Sequence, residues 1–208
     1  MTPQTALAVC TFAAVSSITP GPNNLMLLSS GVRHGFRASL PHMLGITFGF
    51  IVLMLATGLG LGALFERWPV LHELLRLAGA VYLAALAWQL WRADAPHASS
   101  MSGSPSAGEA DCRPPMSFLG AALFQWVNPK AWLMAIGAVA GFSGSETSAW
   151  TMLALALLCG VVNLPCISVW AYGGARLSHW LSRSRPRQLF NAVMAVLLLG
   201  CIYPMVVN

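Results

Sequence analysis

Six apolar stretches dominate the chain, running approximately Thr5–Leu28, Leu40–Phe65, Val70–Trp91, Phe118–Ala140, Ala149–Ala175 and Leu189–Val207. Each is close to the ~20 residues that a helix needs to cross a bilayer core of about 30 Å. Apolar positions do not alternate with polar ones, which excludes a transmembrane barrel. The pattern predicts an all-α integral membrane protein with six transmembrane helices. Between the third and fourth stretches, Ala93–Pro115 is rich in Ala, Ser, Gly and Pro and carries Asp94, Glu109 and Asp111. Such a segment buries too little apolar area to order itself. It divides the chain into a three-helix repeat at 1–92, a cytoplasmic flexible linker at 93–116 and a second three-helix repeat at 117–208. An odd number of helices per half places the halves in opposite membrane orientation, the plan of an inverted repeat.

Composition sharpens this picture. The 208 residues are 57% apolar and 8% charged, against about 25% charged in a soluble domain. That excludes a soluble enzyme and a disordered chain. The net charge of +5 does not mark a nucleic-acid binder, because the bases are scattered between apolar runs. Eight of the 11 fall in the first, third and fifth loops: Arg33, Arg37, Arg92, Arg113, Arg176, Arg183, Arg185 and Arg187. The second loop has Arg67 balanced by Glu66, and the fourth has none. The positive-inside rule then makes loops one, three and five cytoplasmic and turns both termini outward. Trp68, Trp88, Trp91 and Trp180 stand near segment ends, as an interfacial aromatic belt does.

Two interruptions stand out against the apolar background. Helix 1 contains Thr19-Pro20-Gly21-Pro22-Asn23-Asn24. A proline inside a helix lacks the N–H for the carbonyl four residues back, so Pro20 frees the carbonyl of Ser16 and Pro22 that of Ile18. Gly21 lets the backbone bend or open between them. Irregular backbone at membrane depth is tolerated only against protein or a water-filled cavity. Beyond the break, Pro22 starts a half-helix whose free N–H groups suit an anion, beside the amides of Asn23 and Asn24. Carbonyls for an ammonium and N–H groups for a carboxylate together describe a zwitterionic amino acid. The plainer reading is a packing kink.

Helix 4 carries Asn128-Pro129-Lys130 in the matching position of the second half. Pro129 frees the carbonyl of Gln125, and Lys130 lies about 18 Å into the segment by helix rise. An ammonium at that depth costs at least ~2.5 kcal/mol and marks a functional-site candidate. No acid lies at comparable depth, so Lys130 must snorkel, find carbonyls, shed its proton or meet an anionic substrate. Counting residues offsets the two motifs by roughly 10 Å in depth, unless helix 1 tilts or starts earlier. Asn163 and Pro165 interrupt helix 5, His42 opens helix 2 as a potential proton relay, and Gly45, Gly49, Gly58, Gly60 and Gly62 favour close packing of helix 2. Five cysteines (Cys10, Cys112, Cys159, Cys166 and Cys201) have no metal-ligand spacing, and no nucleophile elbow or phosphate loop is present. No catalytic residue, metal or cofactor is expected.

With these motifs in order, and with Gly31 through His34-Gly35-Phe36-Arg37 between them, the chain resembles the LysE/RhtB family of bacterial amino-acid exporters. The double Asn and the Gly-Phe-Arg look most like its cysteine/O-acetylserine-exporting branch. The resemblance implies proton-driven export of a small neutral amino acid or derivative across the bacterial inner membrane, with both termini periplasmic. It implicates Pro20, Gly21, Pro22, Asn23, Asn128, Pro129 and Lys130. The residues expected to meet substrate are therefore these, with Asn24, Asn163 and the carbonyls of Ser16 and Ile18. In this scheme the N-terminus of the half-helix after Pro22, together with Lys130, holds the carboxylate. Ser16, Ile18 and Asn23 receive the ammonium across a cavity between broken helices 1 and 4. Expected partners are the amino acid, membrane lipid and a second copy in a homodimer, without nucleic acid. A membrane-embedded enzyme and a passive channel are the rival readings.

Overall fold

The structure, a computed structural model, describes residues 1–61, 69–92, 114–142, 148–178, 180–182 and 184–207. Eight α-helices and no strand occur among them: α1 Pro3–Ile18, α2 Pro22–Ala38, α3 Leu40–Ala56, α4 Pro69–Arg92, α5 Phe118–Phe124, α6 Pro129–Phe142, α7 Ala149–Leu177 and α8 Ser184–Val207. A π-helical turn, Thr57–Leu61, extends α3, and a 3₁₀ turn, Trp180–Ser182, precedes α8. Among the described residues three spans are long and apolar enough to cross a membrane: Leu40–Gly60, Ala149–Leu177 and Pro186–Tyr203. The pair α1–α2 makes a fourth when taken as one span, bent by 58°. Large apolar side chains such as Leu7, Phe48, Leu133, Trp150 and Val169 point outward and are more than half exposed. In water such a surface is a liability; in lipid it is solvated.

Each expected apolar stretch is helical where described, apart from internal breaks at 19–21 and 125–128 and differences at the ends. Helix continues past Leu28, so Arg33 rides on α2 rather than in a loop, and Arg37 follows a kink at Gly35 (φ +81), after which helix resumes to Ala38. The reason is packing. Leu25, Leu27, Ser30 and Gly31 are buried, and α2 runs along α7. At Gly31 a Cβ would meet the backbone of Ala171, and at Gly174 the backbone of Leu28. The two helices touch main chain to main chain, as small residues allow in membranes. Arg187 lies in α8, and α7 passes through Pro165 unbroken, correcting the interruption expected there. Of the helix 2 glycines, Gly45 and Gly49 do lie against α5. Gly60 instead has φ +94 in the π-turn and touches nothing. Gly62, Glu66, Arg67, Trp68, Cys112 and the proposed linker residues Ala93 to Arg113 lie outside the described residues.

The described buried apolar residues form three clusters, of which one joins Leu27 of α2, Met43 and Ile46 of α3, Ala121 of α5 and Ile167 and Ala171 of α7, and the other two are linked by the chain at its helix breaks. One gathers Val9 and Ala13 of α1, Phe50 and Leu53 of α3, Trp132 and Ala135 of α6, and Leu155 of α7. The other gathers Leu25 of α2, Leu83 of α4, Phe124 of α5, and Met194 and Leu198 of α8. From α1 to α2 the chain passes from the Val9 cluster to the Leu25 cluster, and from α5 to α6 it passes back. Both crossings take place at a helix break.

Candidate functional site

At the first break, prolines strip backbone donors and side chains replace them. The freed carbonyl of Ser16 accepts the hydroxyl of Thr19 at 2.8 Å, and that of Ile18 accepts the indole N–H of Trp170 at 3.1 Å. Asn24, 3% exposed, donates its amide to the carbonyls of Ser17 (2.8 Å) and Thr19 (2.7 Å). The two carbonyls expected to receive a ligand ammonium thus already hold donors from the protein. The ammonium acceptors lie one step further along. Lys130 Nζ donates to the Thr19 carbonyl at 2.5 Å, its hydroxyl at 2.9 Å and the Pro20 carbonyl at 3.3 Å.

This contact removes the depth offset inferred from counting. α1 and α2 meet at 58° across the break, and the long lysine stem reaches the carbonyls at the end of α1. Of the fates open to Lys130, finding carbonyls is the one observed. It caps the negative end of the α1 dipole, where a cation is stabilised. Gly21 makes room for it: a Cβ there would lie 2.7 Å from Lys130 Cδ and 3.2 Å from Nζ. The Gly21 backbone is extended, φ −179, a conformation open to any residue. Space for the lysine, rather than backbone freedom, explains this glycine.

The second break satisfies itself mostly through its own backbone. The N–H groups of Gln125, Trp126, Val127 and Asn128 reach back three residues, to the carbonyls of Ala122, Leu123, Phe124 and Gln125. Asn128 Oδ1 then accepts the Lys130 backbone N–H at 3.1 Å, closing the first turn of α6 after Pro129. The Gln125 side chain ties the breaks together. Asn23 donates to Gln125 Oε1 at 2.8 Å, and Gln125 Nε2 reaches the Ala121 carbonyl at 2.8 Å. From α7, Asn163 donates to Ser17 Oγ at 2.9 Å.

Asn24, Gln125, Asn128 and Asn163 are each at most 5% exposed, whereas Thr19 and Pro20 lie open at the surface. The free space at their centre is about 20 Å³, room for roughly one water. Asn23, Asn24, Asn128, Lys130, Asn163 and Gly21 all line it. Pro20, Pro22 and Pro129 shape the breaks from outside, and Ser16 and Ile18 contribute only bonded carbonyls. Sequence reasoning missed Ser17, Thr19, Gln125 and Trp170. Trp170 was legible in principle, lying seven residues, about two turns, after Asn163 on the same helix face.

Two broken apolar helices meeting at a buried polar cluster define a multi-pass membrane protein of transporter type. Residues 14–202 match the LysE type translocator family, and the chain belongs to it, as the sequence motifs led one to expect. It is 33% identical over 203 residues, 97% of either chain, to the cysteine/O-acetylserine efflux proteins of Escherichia coli strain K12 and Shigella sonnei strain Ss046. The same values hold for that of Escherichia coli O139:H28. No solved structure matches the chain.

Proposed function

We propose that the protein exports small neutral amino acids or their derivatives from the bacterial cytoplasm, of the kind of cysteine, O-acetylserine, homoserine or threonine. The observation that carries this reading is the Lys130 ammonium seated on the Thr19 and Pro20 carbonyls. A primary ammonium already occupies the place that the substrate's own ammonium fits. In export, the incoming ammonium takes over those carbonyls and Lys130 swings onto the substrate carboxylate. The exchange keeps the cation count at the α1 terminus constant, so the Thr19 and Pro20 carbonyls keep a donor throughout. The first turn of α2 has no side chain bonded to its N–H groups and supplies the second support for the carboxylate.

A neutral cargo agrees with the lining, which contains Lys130 and amides but no acid. The names of the relatives, cysteine/O-acetylserine efflux proteins, favour the same substrate class. Six spans in two inverted halves, 1–92 and 117–208, are supported by the matched breaks and by the opposite crossings between the Val9 and Leu25 clusters. Rocking of the halves then opens the collapsed site alternately to each side. Antiport against protons across the inner membrane, with both termini periplasmic, completes the proposal.

Radiolabelled cysteine, O-acetylserine, homoserine and threonine offered to proteoliposomes, with and without a pH gradient, test it. Uptake of at least one, accelerated by the gradient, is expected. Failure to move any of them refutes export, and indifference to the gradient refutes proton coupling.

A further inference from the structure

A second polar cavity lies away from Lys130, between α2, the start of α3 and α4. Its volume is about 230 Å³, more than ten times the 20 Å³ left at Lys130. Its polar wall includes Ser29, Arg33, His34, His42 and Gln89, without a carboxylate among the described lining residues. His42 sets it apart from an ordinary crevice. The side chain is 2% exposed, and neither ring nitrogen has a hydrogen-bond partner among the described residues. An imidazole carries at least one N–H donor, and burying such a group unpaired is unfavourable. A cost of that kind persists at functional sites, where a ligand supplies the partner.

The polar groups agree in sign. Arg33 is a permanent cation with a planar fork suited to carboxylates, and the hydroxyl and imidazole add donors. The wall is made for an oxyanion. Its position gives the oxyanion an origin. Arg33 and Ser29 sit on the same helix as Asn24 and the broken-helix site, and Asn24 to Arg33 spans about 14 Å of helix rise. Arg33, Arg37 and Arg92 mark this end of the bundle as the side that the base count turns toward the cytoplasm.

We infer that this cavity is a second binding site, which receives the carboxylate of a small amino acid on the cytoplasmic side before the molecule reaches Lys130. The assignment of direction rests on the export reading; the oxyanion chemistry does not. Arg33 supplies the charge, and His42 and Ser29 donate hydrogen bonds.

The test uses the purified full chain in maltoside micelles, which contain no phosphate, with ¹⁵N-labelled histidine. His42→Gln assigns the His42 resonances. Acetate and glycine are expected to shift them saturably, while glycinamide, an ammonium without a carboxylate, leaves them in place. Arg33→Gln should weaken acetate binding by about tenfold, the loss of one charge-assisted hydrogen bond. Lys130→Ala should leave it unchanged, which separates this site from the broken helices. A saturable acetate shift in a protein that transports nothing removes the export reading and retains the oxyanion site. No shift with glycine, or an equal shift with glycinamide, overturns the proposal. A shift produced only by added phospholipid assigns the cavity to a lipid headgroup and overturns it as well.

Discussion

The two helix breaks look alike in sequence and differ in how they are satisfied. Each places a proline at the start of the following helix, Pro22 in α2 and Pro129 in α6. At the second, four successive N–H groups bond three residues back, so the turn closes on its own main chain. At the first, Thr19, Asn24, Trp170 and Lys130 come from three helices and a turn to cover the carbonyls. A self-closed turn needs nothing from outside. A turn covered by borrowed side chains can exchange one of them for a ligand, and Lys130 is the one whose chemistry matches an amino acid's ammonium. The first break is therefore the responsive element and the second the scaffold that carries the lysine.

The largest effect is expected from replacing Pro20 and Pro22 together by alanine. The restored N–H groups favour a continuous helix, the acceptors turn inward into the ladder, and transport is lost while membrane insertion persists. Pro129→Ala is the matched control. Because its turn is held by backbone bonds, it should retain transport within about tenfold. Equal losses in both variants, read from uptake per correctly inserted protein, would erase the distinction between the breaks.

Lys130→Ala comes next. Loss of one charge-assisted partner for the substrate corresponds to about 1.5–3 kcal/mol, so transport efficiency should fall by roughly ten- to a hundredfold. Unchanged affinity would return Lys130 to a cap for α1. Gly21→Ala should act through the same lysine more gently, because its methyl would overlap Cδ without straining an extended backbone. A several-fold weaker apparent affinity with unchanged thermal stability is expected in a combined uptake and melting experiment. Trp170→Phe should have the smallest effect, removing the single bond to the Ile18 carbonyl. A loss of about 1 kcal/mol of stability, seen as a modest fall in melting temperature, is the measurement that checks it.

Much of the fold was legible because hydrophobicity over ~20 residues is a strong, local signal. Proline at 20, 22 and 129 likewise announced the breaks, since a missing N–H is a property of the residue itself. What the sequence concealed depends on bending. Depth counted along straight helices 1 and 4 kept Lys130 away from Pro20, whereas both helices are broken and Lys130 Nζ bonds the Thr19 and Pro20 carbonyls. The helix beyond Leu28 was hidden because Arg33 and Arg37 read as a loop, whereas the approach of Gly31 to the α7 backbone at Ala171 carries it on to the kink at Gly35. The roles of Thr19 and Gln125 were also invisible, because a polar residue beside a proline declares a need for partners without naming them. Gly21 was noticed for its flexibility and proves to matter for the volume it leaves to a lysine on another helix.

The central claim is that the substrate's ammonium replaces that of Lys130 on the Thr19 and Pro20 carbonyls. Radiolabelled uptake of cysteine and of N-acetylcysteine into the same proteoliposomes tests it most directly, since the two share thiol and carboxylate and differ in the ammonium. Transport of cysteine with neither transport of nor competition by N-acetylcysteine is the predicted result. Equal uptake of both would contradict the exchange, and leave the contact between Lys130 and the broken helix as packing alone.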